Sequence, residues 1–563
     1  LDHFILSSER ICKGCGFEPE RIIKRRFDSL KARRSVLEGH CEEIAEVISP
    51  RHTGFNGYRQ PNEKRMAKVY DSTGIHSLEM LAAGLHGLLT NPASKWFSLR
   101  IVEPGFDDDD QVKDWLSDAS DVMRAYMYAP GTNITSALHE IYLENGAFGT
   151  SVMFIGERDK GGLLYQAVPL HECFIAENHE GTVDTVYRKR SMTARQVLMQ
   201  WPKTASEKVR QKVATNKPDD MIEIIHAVQP RNDADSSKRN SENMPWESVY
   251  IEYETEQKLE ESGFPEFPYA VPRWSKMPGE EYGRSPAMTA LPDVKMLQEM
   301  MKTTMQAGQL AVKPPVMVPD DGVIGPVRWV PGGQTYYRGD RIPTAVDLSG
   351  NLPITLEMME ELRGRIRGTF FADLMKFPTD VTMTATEFTQ RMSEHMRLLG
   401  PVLGRMEGEM LGRIVERTFG IMTRMGVLPQ APAQVAGREF TIEFVSPIAL
   451  AQKQGEANAL TQTLAILLPF IQATQDASVL KPFKTDKLAP KIFELFGGDP
   501  DLIYSTDELA AMAEAEQAQQ QAMMAAQAAQ PMADAMSKGA GAVDKLASAQ
   551  QKGADVSQLF EAA

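Results

Sequence analysis

Along residues 62–130 the apolar positions follow the helical period. Leu78, Leu81, Leu85, Leu88 and Leu89 form one stripe, and Asn91-Pro92 stops it. Trp96, Phe97 and Leu99 then predict a short strand. Asp107 to Asp110 read as a solvated loop opening another helix, where carboxylates suit the positive end of the dipole. The pattern changes near residue 150. Ser151–Ile155, Leu163–Val168, Glu172–Ala176, Thr182–Arg188, Ile222–Val228, Ser248–Tyr253 and Tyr269–Trp274 are short and rich in β-branched and aromatic residues. Turn residues such as His179-Glu180-Gly181 separate them, and one helix over Thr193–Trp201 interrupts. This stretch predicts an α+β unit.

A second architecture follows. A helix is predicted over Pro292–Val312, with Leu291, Val294, Leu297, Met301 and Met305 on one face. Lys313–Pro353 then holds seven prolines and six glycines around two strand candidates, Val316–Val318 and Val327–Val330. A second helix, Thr355–Lys376, would bury Met359, Leu362, Ile366, Phe370 and Leu374. Phe377-Pro378 ends it, because proline disfavours helical geometry in the residue before it. A capping-box signature, Thr384-x-x-Glu387, restarts a helix running to about Met425 with a kink expected at Pro401. Gly400, Gly404, Gly408 and Gly412 recur every fourth residue of that helix. Each costs about 1 kcal/mol against alanine, so the stripe predicts a backbone approaching closely. From Ala510 to Gln530 the chain is ten Ala, six Gln, three Met and two Glu, a helix-prone segment too thin in apolar surface to stand alone.

The 563 residues carry 61 basic and 76 acidic side chains, a net charge of −15. That balance argues against a tight nucleic-acid grip. Seven basic residues crowd into 21–34 (Arg21, Lys24, Arg25, Arg26, Lys31, Arg33, Arg34), either as a solvated helix face or as an anionic contact. Four cysteines exclude a disulfide scaffold and fit a reducing compartment. The longest apolar run, Leu464–Ile471, is eight residues with Pro469 inside it, far short of the ~20 a membrane span needs, so no membrane association is expected.

Catalytic chemistry is not visible. There is no phosphate loop, no HExxH and no Gly-x-Ser-x-Gly elbow. Cys12-x-x-Cys15 has only His40-Cys41 as a nearby complement, and His171-Glu172-Cys173 lacks zinc spacing. His76 and His86 sit on the Leu-rich helical pattern as packing or surface residues. No catalytic residue, metal ligand or cofactor is expected, and the chain reads as a non-enzyme.

Several blocks carry a family resemblance: Leu78–Leu99, Glu281–Met300, Val318–Pro326, Met383–Glu387 and Leu398–Phe419. In this order they resemble the head-to-tail connecting, or portal, proteins of short-tailed bacteriophages, over roughly Arg26 to Lys453. The resemblance implies an α+β, predominantly helical subunit with wing, stem, clip and crown, forming a dodecameric ring at one capsid vertex around a double-stranded DNA channel. On that plan 1–60 is an N-terminal helical, basic segment, 61–285 the wing, 286–312 and 354–376 the stem helices, and 313–353 the clip. The tunnel loop is 377–383, the long kinked wing helix and following strand 384–446, the crown 447–505, and an Ala/Gln-rich helix 506–563. The implied DNA-facing residues are Lys376, Phe377, Pro378, Thr379, Asp380, Val381 and Thr382, and Trp329, Tyr336 and Tyr337 are docking anchors on the clip. The implied partners are other copies of the chain, DNA, a terminase packaging motor, tail adaptors, and major capsid and scaffolding proteins. The implied place is the virion, after assembly in the host cytoplasm. Another ring-forming virion protein, an adaptor or tail-tube component, is the alternative, ahead of a DNA-packaging enzyme.

Overall fold

The computed structural model describes residues 19–101 apart from 53 and 56–65, and 110–312 apart from 159–160, 233 and 235–239. It also describes strand pairs within 316–345, then 352–373, 375, 399–444 apart from 436–437 and 439, and scattered helical residues after 459. The chain divides into two units. One is Leu1–Pro104 with Asp114–Ala451, and the other is Gly105–Lys113 with Gln452–Ala563. In the second, helical residues are described at 460–463 and 514–521.

The elements in chain order are α1 (Pro19–Val47), α2 (Thr73–Leu89), β1 (Phe97–Ile101), α3 (Asp110–Met127), α4 (Ile134–Phe148), β2 (Val152–Glu157), β3 (Leu163–Val168), β4 (Cys173–Glu177), β5 (Val183–Thr193), α5 (Ala194–Gln200), α6 (Glu207–Ala214), β6 (Met221–Pro230), β7 (Trp246–Glu252), β8 (Lys258–Phe264) and β9 (Tyr269–Ala270). Next come α7 (Pro286–Val312), β10 (Val316–Met317), β11 (Val323–Ile324), β12 (Tyr336–Tyr337), β13 (Thr344–Ala345) and α8 (Leu352–Thr369). Helical residues 399–406, a π-helical turn Glu407–Leu411, α9 (Gly412–Met425) and β14 (Phe440–Phe444) complete the described order.

Five strands form one antiparallel sheet, β4-β5-β6-β7-β8. Successive side chains on a strand face opposite ways, and β6 uses both faces. Ile225 packs with Phe27, Phe174, Tyr187 and Ile251 under α1, while Ile224 packs with Val197, Trp201 and Leu259 under α5 and α6. A one-residue slip would exchange these two cores, so the register Ile225↔Ile251 is fixed by burial on both sides. A capping box, Thr193 with Gln196, starts α5, and Ser206 caps α6. The sheet edges are also met. The hydroxyl of Tyr282 accepts the Ile175 amide at 3.1 Å, and the buried Arg34 guanidinium donates to the carbonyls of Leu170, His171 and Cys173. At the other edge a Cβ on Gly263 would lie 2.9 Å from the Met244 side chain.

A second sheet, β3-β2-β9, and a two-stranded pair, β1 with β14, complete the main body; β1 meets β14 in the register Phe97↔Phe444. Helices α2, α4, α7 and α8 pack together, with Leu78, Leu81 and Leu85 buried as the period predicted. Where the chain enters α7, Gly149 (φ +75°) and Gly283 cross; a Cβ at 149 would stand 2.7 Å from the Gly283 carbonyl carbon. Only glycine fits both the left-handed backbone and that approach.

Helix exceeds strand, so the mixed class read from sequence holds. All seven strands predicted between 150 and 275 are present, Leu163–Val168 with its predicted bounds and the other six with ends shifted. The last is shorter, Tyr269–Ala270, because the chain then turns to cross Gly149. Strand β8 and helix α6 were not foreseen. Of the strand candidates in 313–353, Val316–Met317 is present and pairs with β13, whereas Val327–Val330 lies outside the described residues.

Candidate functional site

Helices α7 and α8 form an antiparallel hairpin around the Pro/Gly-rich segment. Its base is apolar and closed: Leu291, Val294 and Leu297 of α7 and Met359, Leu362 and Ile366 of α8 are at most 5% exposed. Its outer face and far end are not. Met296 is 52%, Met305 50%, Leu310 44%, Leu356 55% and Met358 49% exposed. The predicted α7 stripe is therefore buried in its first half only. Leu374, predicted on the α8 stripe, lies outside the described residues.

A polar clasp fixes the base. Gln298 is buried on α7; its Nε2 donates to the Asp71 carbonyl at 2.7 Å, and its Oε1 accepts the amides of Tyr70 and Asp71 at 2.7 and 2.9 Å. The Asp71 carboxylate accepts the Thr73 amide at 2.8 Å and both Nε and Nη2 of Arg363 on α8 at 3.0 and 2.9 Å. Burial alone would raise the Asp71 pKa, but bonds from Thr73 and Arg363 outweigh it and hold the carboxyl below its usual range. One residue thus joins the start of α2 to both helices of the hairpin, Asp71 holding α8 by its carboxylate and α7 by its backbone amide and carbonyl. Asp293 and Arg365, 3.2 Å apart, add a second tie between α7 and α8.

A second hub sits where the linker to α7 meets the long helix. Arg273 is 1% exposed. Its Nη2 and Nε reach the Glu409 carboxylate at 2.7 and 3.1 Å, its amide donates to the same group at 3.0 Å, and its Nη1 pairs with Glu177. Lys276 pairs with Glu177, and Arg405 with Glu409 at 3.0 Å. Glu409 lies in the π-helical turn, a one-residue widening that re-aims side chains. The described departure from α geometry is this turn, downstream of Pro401, where sequence placed a kink. The helix then ends at Met425 as predicted, with Gly426 left-handed at φ +68°.

A Cβ added to Gly400, Gly404 or Gly408 would meet none of the described residues within 4 Å, and one on Gly412 would meet the Glu407 carbonyl at 3.2 Å and Phe444 at 3.9 Å. Among the described residues, then, no backbone approaches the first three. Lys376, Phe377, Pro378, Thr379, Asp380, Val381, Thr382 and Trp329 lie outside the described residues, as do Cys12, Cys15 and the Thr384 capping box. Tyr336 and Tyr337 are on β12, paired with β11.

Most of the basic run is neither a solvated face nor an open anionic contact, because its members pair within the chain. Arg21 and Lys24 pair with Glu256, Arg26 binds Gln229 and Thr185, Arg33 pairs with Glu281, and Arg34 with Glu38. These charges seat α1 on the sheet. Cys41 and Cys173 are buried and unpaired with each other; burial pushes the Cys41 thiol up to about 12 and Cys173 higher, so both are neutral. Among the described residues no group of His, Cys, Asp and Glu could hold a metal, and no helix is long and apolar enough to cross a membrane. Sequence reading missed Arg273, Asp71, Arg363 and Gln298, whose bonds Arg273–Glu409, Asp71–Arg363 and Asp71–Gln298 each span more than 130 positions. The one local signal was Asp71 beside a helix start, a capping residue type.

Residues 20–503 match the family described as "Bacteriophage head to tail connecting protein". The chain belongs to that family. The match extends past Lys453, the approximate end of the resemblance, to residue 503. The chain is 33% identical over 529 residues to the "Probable portal protein" of Bordetella phage BPP-1, covering 92% of this chain and 95% of that one. It is 29% identical over 517 residues to the "Portal protein" of Salmonella phage epsilon15, covering 90% and 92%. A chain from the virion of a native gene transfer agent particle aligns at TM-score 0.33 and 10% identity over 76% of this chain and 90% of that chain, a likeness that says nothing of function. Connector-family membership makes this chain a structural phage component and not an enzyme.

Proposed function

We propose that copies of this chain form a twelve-membered ring at one capsid vertex, the channel through which double-stranded DNA enters and leaves and the platform for a packaging motor and then the tail. Kinship with portal proteins over nine-tenths of the chain carries this reading. In it, 61–285 is the wing, α7 and α8 are the stem, 313–353 the clip, 377–383 the loop nearest DNA, 384–446 the long wing helix and its strand, 447–505 the crown, and 506–563 an added helix. The exposed Met305, Leu310, Leu356 and Met358 suit burial against a neighbouring stem. The open Gly400–Gly408 face suits a neighbour's backbone.

Lys376 would meet phosphate, and Trp329, Tyr336 and Tyr337 would anchor the motor or adaptor. A net charge of −15 fits a conduit that must not hold its cargo, since each phosphate neutralised by Lys or Arg adds affinity through counterion release. Capsid, scaffolding and tail proteins are the further partners, and the virion is its place. Electron microscopy of the purified protein should show twelvefold rings with a central hole; a uniform population without rotational symmetry, in the presence of scaffold as well as alone, would refute the reading.

A further inference from the structure

Sequence carries α8 as far as Lys376, because nothing before Phe377-Pro378 stops a helix there. The helix nevertheless ends at Thr369. The chain closes it with a tight turn: the Phe371 amide donates to Gly368 at 3.0 Å and the Ala372 amide to Arg367 at 2.9 Å. This geometry calls for a left-handed residue, usually glycine. Here it is Phe371, at φ +54°, where a β-carbon is disfavoured. Local preference and observed backbone disagree at this point, and such disagreement marks strain sustained by tertiary contacts.

Those contacts are identifiable. Phe370 and Ala372, on either side, are 0% and 1% exposed. The Phe371 ring lies 6.4 Å from Trp274. Met375 lies over Gly84 of α2, where a Cβ would stand 2.6 Å from its Cγ and 2.9 Å from its Cβ. Gly87, nearly one turn on, has none of the described residues within 4 Å. Gly84 is a seat for one methionine, and any larger residue would expel it.

We infer that the stretch from Phe370 to Met375 is a two-state joint: a seated turn, and a continuation of α8 by about two helical turns, or ~10 Å. The Met375–Gly84 contact selects between them. Ala, Leu, Met and Lys are good helix formers, so unseating Met375 releases Phe371 from its left-handed conformation and lengthens the helix. Whatever displaces Met375 from α2 therefore resets the point at which the following chain leaves the hairpin. The inference stands whether or not the chain forms a ring.

Hydrogen exchange with mass spectrometry on the full chain tests it, read on peptides spanning 366–376. Gly84→Ala and, without touching α2, Met375→Ala should each slow exchange there by tenfold or more as the helix continues. Phe371→Gly, which accepts the left-handed turn and weakens the helix, should abolish that gain in either background. Exchange unchanged or faster in both Gly84→Ala and Met375→Ala would overturn the two-state joint. A gain in protection that persists when Phe371→Gly is added to either variant would overturn the role of the left-handed turn.

Discussion

The five-stranded sheet and the α7–α8 hairpin differ in how far the chain satisfies its own surfaces. The sheet is covered on both faces by segments that precede it or interrupt it, α1 on one side and α5 and α6 on the other. Groups of its β4 edge are met by Tyr282 and Arg34, which blunts the usual invitation to pair with another chain there. The hairpin is clasped at its base by Asp71, Gln298 and Arg363 but leaves large apolar side chains in water on its outer face and at its far end. One region is finished by the monomer's own sequence. The other leaves apolar surface open, as the proposed ring would require of a face shared with a neighbour.

The sharpest way to break that comparison is to damage the finished region. Phe27 is 0% exposed and packs edge-on to Phe174, with ring centroids 4.8 Å apart. Phe27→Ala should lower unfolding stability by about 3–5 kcal/mol, measured by chemical denaturation at protein concentrations spanning a hundredfold. The loss should be the same at every concentration, because the contact lies within one chain.

A pH titration separates the regions next. His226 is buried in the sheet, its Nε2 3.0 Å from the Ser248 hydroxyl, its Nδ1 3.2 Å from the Tyr269 hydroxyl, and its ring stacked 4.0 Å from Tyr250. Burial first, then Arg188 and Arg190, push its pKa to about 3; burial with His52, Arg34 and Arg188 does the same for His171. Both pKa values fall below the ordinary 6.5, so the unfolded chain binds more protons between these limits. The stability they allow is complete above about pH 6.5 and is lost as pH falls toward 3. At pH 5 each histidine should cost about 2 kcal/mol, and His226→Gln should remove about half of the slope between pH 6.5 and 5. A flat profile in that window would mean the histidines are solvated.

The same contrast explains what was legible beforehand. Strands such as Ile222–Val228 announce themselves, because β-branched residues buried on both faces leave a continuous apolar run. Strand β8, KLEESGF, does not, since it is an edge strand whose charges face water and whose register is set by pairing with β7. Helix α6 hides behind its charges, with Val209 alone fully buried. The early end of α8 was illegible for a different reason. Its cause is Gly84, nearly 300 positions away, and the local sequence argues the other way. Arg273 and Glu409 are likewise 136 positions apart. The open end of the hairpin was half legible: the apolar stripe could be read from its spacing, but not that this chain leaves part of it uncovered.

The smallest effect on stability is expected where the comparison matters most for function. Met305→Gln, Leu356→Gln and Met358→Gln replace side chains that are 49–55% exposed. Glutamine has nearly the helix propensity of leucine and methionine. Neither lost burial nor lost helicity should therefore weaken the isolated chain, and each variant should unfold within about 0.5 kcal/mol of the parent. Assembly should respond differently, because the removed surface is what a neighbouring hairpin would bury. At ~25 cal/mol per Å² of apolar area, losing even part of three such side chains at every contact outweighs their effect within one chain. Analytical ultracentrifugation of the triple variant should show a shift from rings toward single chains, with unchanged circular dichroism. If rings persisted at the parent's concentration dependence, the exposed end of the hairpin would not be the face that neighbours share.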